Sequence, residues 1–89
     1  MSKKELKING NINDISAMLI SAVRYALGRK TYIVNWTCEF IVKNLHLLTE
    51  QNIKVMIRDI ERQAEYGYGD KCDEEDWLRL LVLLKEQVE

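Results

Sequence analysis

Three cations and two tyrosines lie within nine consecutive residues of this sequence. The cations are Arg24, Arg29 and Lys30, and the tyrosines are Tyr25 and Tyr32. Arg29 and Lys30 come immediately before the second predicted helix, whose free N-terminal amides attract anions. Guanidinium groups suit a phosphate, and a tyrosine ring suits a stacked base. The stretch therefore indicates a site for a phosphorylated or cyclic nucleotide at these five side chains.

The same cations also have a purely structural explanation. Arg29 and Lys30 follow the C-terminus of the first predicted helix, where cations satisfy free carbonyls and favour the helix dipole. Arg24 falls nine positions after Ile15, which places it off the apolar stripe and on the surface. A binding surface and a helix–turn–helix corner both remain open at this point.

No motif in the sequence points to catalysis, a metal or a cofactor. Walker, GxGxxG, HExxH and EF-hand spacings are missing, and no serine lies in a nucleophile motif. Cys38 and Cys72 lie far apart in a sequence with a single histidine, so they do not form a zinc set and are expected to be reduced, half-buried structural thiols. The consecutive carboxylates 73–76 suit a helix dipole better than a metal. We expect a non-enzymatic protein with no catalytic residue.

Composition limits the partners of the chain. Its 89 residues suit one small domain, and 47% apolar residues suffice for a core. A net charge of −1 gives no field toward duplex nucleic acid or an anionic membrane, so neither is expected as a partner. No apolar run reaches the roughly 18–20 residues of a membrane span. The charged first residues lack a signal-peptide core, so a cytoplasmic location is expected.

The spacing of apolar residues predicts an all-α fold, a small four-helix bundle in one domain. Helices are predicted at about 14–27, 32–44, 50–66 and 74–87. Gly28 is predicted to end the first helix. The predicted apolar stripes are Ile15, Met18, Leu19, Ala22, Val23 and Ala26 on the first helix, Ile53, Met56, Ile57, Ile60 and Ala64 on the third, and Trp77, Leu80, Leu81 and Leu84 on the fourth. Residues 1–12 contain an Asn-Gly turn signal and fit either a short extended arm or a mobile tail.

Two groups of aromatic residues interrupt this simple pattern. Tyr32, Trp36 and Phe40 repeat at intervals of four and form a ridge that we interpret as part of the core. The segment Tyr66–Asp70 combines two glycines with two tyrosines. It fits either a helix end with packed tyrosines or a loop that contacts a partner.

The last predicted helix is apolar on nearly every side. Trp77 and Leu81 share one face, while Leu78 and Val82 fall on another. A small monomer has little room to bury such a helix completely. We therefore expect a homodimer or larger homo-oligomer, with these four residues at the interface.

The stretch from Ser21 to Val34 resembles a motif of small, mostly uncharacterised phage and prophage proteins. Its pattern, RYxLGRxTY, matches residues Arg24 to Tyr32. The resemblance is sharp over about 14 residues and vague elsewhere. It implies a phage-encoded accessory protein in the cytoplasm of an infected bacterium. Some phage proteins of this size are anti-defence factors, either sponges for nucleotide signals or anti-CRISPR proteins that block a nuclease by contact.

Two functions follow from these observations. The first is an oligomer that binds a phosphorylated or cyclic nucleotide signal without cleaving it. Its site would be the Arg/Tyr corner, which comprises Arg24, Tyr25, Arg29, Lys30 and Tyr32. The alternative is an inhibitor that contacts a host defence nuclease or replication protein through Tyr66–Asp70 and the acidic helix start.

Overall fold

A computed structural model describes residues 12–28 and 31–88, and this part of the chain is all-helical. The helices are α1 (Ile12–Ala26), α2 (Thr31–Lys43), α3 (Glu50–Gln63) and α4 (Lys71–Val88), with a 3₁₀ turn at Leu45–Leu47. The predicted all-α, four-helix fold is confirmed over these residues, which contain no strand. The arm or tail predicted before residue 12 lies outside them.

The ends of the helices follow from local capping. Gly28, with φ of 80°, follows α1 as expected, since a left-handed residue closes a helix most easily when it is glycine. Thr49 Oγ1 accepts from the backbone N–H of Asn52 and caps α3. Asp70 caps α4 in the same way, because its Oδ1 accepts from the N–H of Asp73 at 3.0 Å. The fourth helix therefore begins three residues before the predicted start at 74.

Two contacts fix the directions of the first three helices. The backbone N–H of Thr49, after α2, donates to Ser16 Oγ near the start of α1 at 3.2 Å. The C-terminal end of α2 thus lies beside the N-terminal part of α1, and these helices are antiparallel. Arg24, late in α1, pairs with Asp59, late in α3, so α3 runs in the direction of α1.

The fourth helix closes the bundle opposite α1. It packs against α2 and α3, and α1 packs against the same two helices. Around the bundle the order is therefore α1, α2, α4, α3. Lys85 Nζ of α4 also pairs with Glu61 Oε2 of α3 at 2.8 Å.

The core lies between the four inward faces. Most residues of the predicted stripes are buried there, but Met18 is exposed and Ile20 takes an inward position instead. The predicted stripes of α3 and α4 are confirmed at their central residues. The fully or almost fully buried large side chains are Val23, Val34, Ile41, Met56, Ile60, Trp77, Leu80 and Leu84.

Substitution of Ser16 tests whether its hydrogen bond with Thr49 stabilises the bundle. Its side chain is fully buried, and its oxygen accepts from the N–H of Thr49. Replacing Ser16→Ala should lower the free energy of unfolding by about 1–3 kcal/mol, because the Thr49 N–H loses its partner. Urea unfolding followed by circular dichroism measures the change.

Ser21→Ala is the matched control in the same helix. Ser21 is exposed, and its hydroxyl contacts only the carbonyl of Ala17 within the helix. This change should stay within about 0.5 kcal/mol of the wild type. Equal losses for the two variants would contradict the structural role given to Ser16.

Candidate functional site

The described residues of the predicted Arg/Tyr corner have different surroundings, because Arg24 is ion-paired and the two tyrosines are exposed. Arg24 Nε donates to Asp59 Oδ2 at 2.7 Å, and the Asp59 side chain is only 10% exposed. An ion pair this short holds Arg24 to α3, although its own side chain is 55% exposed. Arg29 and Lys30 lie outside the described residues. The corner therefore contains a structural ion pair that the sequence pattern did not indicate.

The two tyrosines of the corner are both exposed. Tyr32 is the second residue of α2 and contacts Trp36 one turn later, with ring centroids 5.4 Å apart and ring planes at 73°. Edge-to-face contact of this kind fixes two rings relative to each other while leaving their outer surfaces open. Tyr25 lies at the end of α1 and is also largely exposed.

The ridge formed by Tyr32, Trp36 and Phe40 is on the surface, so its interpretation as core is wrong. Trp36 is 65% exposed, and the other two are more than half exposed. The reason is that Val34 and Ile41 take the inward face of α2. At 100° per residue, the ridge points to nearly the opposite side of the helix from these two.

Two exposed side chains of α1 lie on a flank turned roughly 100° away from Arg24, which pairs with α3, and therefore on the α2 side of the helix. Met18 and Tyr25 are seven positions apart and therefore share one face of α1. Because α1 and α2 are antiparallel, Tyr25 lies level with the first turn of α2 and Met18 lies level with Phe40. We call the five side chains the aromatic face; they are Met18, Tyr25, Tyr32, Trp36 and Phe40.

The aromatic face holds most of the aromatic residues of the chain. Of seven aromatic side chains, four belong to it and a fifth, Tyr66, is exposed elsewhere. Only Tyr68 and Trp77 are buried. Aromatic side chains usually dominate cores and interfaces because each buries a large area. Their concentration on the outside is the most unusual feature of this surface.

The segment Tyr66–Asp70 is a packed connection. Tyr68 is buried, and its hydroxyl donates to the carbonyl of Ile60 at 2.9 Å. Gln63 Nε2 donates to the carbonyl of Gly67 at 2.8 Å, and Asp70 caps α4. Of the two tyrosines, only Tyr66 is available to a partner, which leaves little contact surface in this loop.

The four predicted interface residues of α4 separate into two pairs. Trp77 and Leu81 are buried against the bundle's own core. Leu78 and Val82, at 43% and 57% exposure, lie on the outside one turn apart. The exposed apolar surface of α4 is therefore much smaller than that of the aromatic face.

A groove of about 340 Å³ runs between α2 and α4, on the other flank of α2. Cys38 and Leu80 are buried at its floor, and Asp76 and Arg79 lie along the α4 wall. Asn35 Nδ2 donates to Asp76 Oδ2 at 3.5 Å, and Arg79 Nη1 lies 3.5 Å from Asp76 Oδ1. Sequence patterns did not indicate this groove, because residues on its two walls, such as Asn35 and Asp76, are 41 positions apart.

The two cysteines have opposite environments. Cys38 is buried and Cys72 is exposed, so neither thiol is half-buried as expected. Burial raises the pKa of the Cys38 thiol from 9.0 to about 12, and Asp76 and Asp73 add to the rise while Arg79 opposes it. A nucleophilic or metal-binding cysteine needs the thiolate, so Cys38 is a neutral, apolar wall of the groove.

Comparisons with known proteins add no assignment. No protein-family model matches the chain, and neither the curated proteins nor the solved structures give a significant match. Within 12–28 and 31–88, no group of three or more His, Cys, Asp or Glu is placed to hold a metal. No helix in this part of the chain combines the length and apolar content needed to cross a membrane.

Alkylation should distinguish the two thiols. At pH 8 the native protein is expected to take up one equivalent of iodoacetamide at Cys72, because the raised pKa of Cys38, about 12, keeps that thiol protonated. In urea both cysteines should react. Mass spectrometry of the intact protein and of its peptides measures the labelling.

The Cys72→Ser variant is the control, since it should remain unlabelled while folded. Equal rates at Cys38 and Cys72 in the native protein would contradict the buried, neutral thiol. The folded chain holds the Cys38 proton more tightly than the unfolded chain. The stability that this thiol contributes is therefore complete below about pH 9 and is lost as the pH rises toward 12.

Proposed function

We propose that this chain is a non-enzymatic interaction protein that works as a homodimer paired through the aromatic face. The observation that supports this is the exposure of five large apolar side chains on the outer side of α1 and α2. Tyr, Trp, Phe and Met are the residues that interfaces favour over other surfaces. The setting implied by the phage resemblance, an accessory protein in an infected bacterium, is part of the same proposal.

The size of the aromatic face supports a stable protein contact. A whole aromatic side chain offers about 150–250 Å², and each side chain of the face is more than half exposed. The face therefore offers on the order of 500 Å² of apolar surface. This is near the upper end for the largest patch of a typical monomer, about 300–600 Å². With a polar rim it approaches the roughly 800 Å² per partner of a standard interface.

The chemistry of the face suits a second copy of the same chain. None of its five side chains is charged, so a two-fold axis through the face brings no like charges together. The exposed side chains of the aromatic face form one ridge on α1 and one on α2. These ridges can pack against the same ridges of a second copy. Leu78 and Val82 of α4, the exposed half of the predicted interface, are two aliphatic side chains, and the aromatic residue next to them, Trp77, is buried.

The dimer can be tested with one pair of substitutions and a matched pair. Replacing Trp36→Ser and Phe40→Ser together should weaken the dimer by at least about 30-fold, since a central aromatic contact contributes about 2 kcal/mol or more. Both side chains are more than half exposed, so the fold should survive. Sedimentation equilibrium over a range of concentrations measures the dissociation constant, and circular dichroism checks the fold.

The control replaces Leu78→Ser and Val82→Ser on α4. This variant should dimerise like the wild type if the aromatic face is the interface. A wild-type protein that stays monomeric at millimolar concentration would overturn the proposal. Loss of the dimer in the α4 variant alone would place the interface on α4, as the sequence pattern predicted.

Nucleotide binding is the second candidate, favoured by the exposed rings of Tyr25, Tyr32 and Trp36, which are close in sequence to the cations of the corner. Exposed rings accept a stacked base, and Arg29 and Lys30 supply charge for phosphate. The Arg24–Asp59 ion pair weakens this candidate, because one of its three cations already has a carboxylate partner.

Calorimetry against a panel of cyclic and linear bacterial signalling nucleotides tests the second candidate. If it holds, at least one member should release heat, and Tyr32→Ala should lower its affinity about tenfold through lost stacking. Tyr66→Ala, at an exposed tyrosine outside the corner, should leave the affinity unchanged. No heat from any member of the panel would remove nucleotide binding and leave the dimer proposal intact.

A further inference from the structure

The groove between α2 and α4 lies outside the aromatic face and plays no part in the proposed dimer. Its volume of about 340 Å³ lies at the lower end of the range for small-molecule sites, about 300–1,000 Å³. Apolar atoms of Cys38, Val42, Leu80 and Leu83 line it, and charged side chains stand along both walls. These features suit a small ligand with an apolar body and one charged end.

Asp76 determines that the charged end of such a ligand should be positive. Its carboxylate is only 15% exposed. Its contacts with Asn35 and Arg79 are both 3.5 Å long. A charge-assisted hydrogen bond is normally about 2.7–2.9 Å, and a carboxylate has about four acceptor positions. Asp76 can therefore accept shorter bonds from a donor that enters the groove.

The other charged residues of the groove are arranged to permit a cation. The Arg79 side chain is 70% exposed and can extend into the solvent, where water screens its charge. Glu39 adds a second carboxylate on the α2 wall, and Lys43 is exposed at the same edge. The raised pKa of Cys38 agrees with a groove that favours a cation. Asp76 raises this pKa more than Arg79 lowers it, so the negative charge has the larger effect at the sulfur.

We propose that this groove binds a small organic cation, an ammonium or guanidinium group on an apolar stem. The charged nitrogen donates to Asp76 Oδ1 or Oδ2. The stem covers Cys38, Leu80 and Leu83, which displaces water from apolar surface. No bond is made or broken, and the neutral thiol serves as part of the apolar wall.

Titration with 2-phenylethylammonium chloride tests the site in the full chain. Amide ¹H–¹⁵N NMR spectra should show saturable shifts for residues of α2 and α4 around the groove, such as Asn35, Cys38 and Leu83. The Asp76→Asn variant keeps the shape and removes the charge, so its dissociation constant should rise about tenfold or more. Glu75→Gln, at the exposed neighbouring position of α4, should leave the constant unchanged.

Two further measurements separate this cation site from general hydrophobic binding. The anion 3-phenylpropionate has a similar stem and should bind at least tenfold more weakly than the cation. Leu83→Lys places a competing charge at a half-exposed wall position and should abolish the shifts without unfolding the protein.

Each opposite result would overturn the proposal. Equal binding of the anion, unchanged affinity of the folded Asp76→Asn variant, or shifts confined to the aromatic face all exclude a cation site in the groove. An absence of shifts at 20-fold excess of the cation over millimolar protein would exclude it as well. None of these outcomes bears on the dimer, because the aromatic face does not line the groove.

Discussion

A four-helix bundle of this size can bury only one face of each helix, and α2 has two apolar faces. Val34, Cys38 and Ile41 fill the inward face, and the neighbours of α2 are α1 and α4. No other helix of the described residues covers Tyr32, Trp36 and Phe40, which lie on the opposite side. The aromatic face is therefore a consequence of the packing order of the helices. A chain that buried this ridge would have to expose Val34 and Ile41 instead.

The sequence was sufficient to predict the helices and most of the core. Periodicity located all four helices, and Gly28 marked the end of α1 at the residue where φ is positive. The stripes of α3 and α4 were also predictable, because each of these helices has one continuous set of inward positions. The start of α4 differed because Asp70 and Asp73 are both capable of capping, and only the three-dimensional turn decides between them.

The surface could not be predicted with the same rules, for a physical reason. Periodicity indicates which side chains share a face, but it does not indicate which of two apolar faces is buried. Trp36 and Phe40 thus looked like core, and Arg24 looked free. The Arg24–Asp59 pair joins residues 35 positions apart, and the groove at Cys38 and Asp76 joins residues about as distant. Contacts of this kind depend on helix order and direction, which a single sequence does not contain.

Within residues 12–28 and 31–88, the packing of the isolated bundle does not explain why these aromatic side chains are exposed. Tyr32, Trp36 and Phe40 contribute little buried area to the bundle, and polar residues at the same positions would make the surface more soluble. Their apolar area becomes favourable only when another surface covers it. The entropic cost of association is similar for a polar and for an apolar partner surface. The net free energy of binding is therefore most favourable when the opposing surface is also apolar. Within the described part of this chain, the largest such surface is the aromatic face itself, and this is the reason for the proposal that two copies pair.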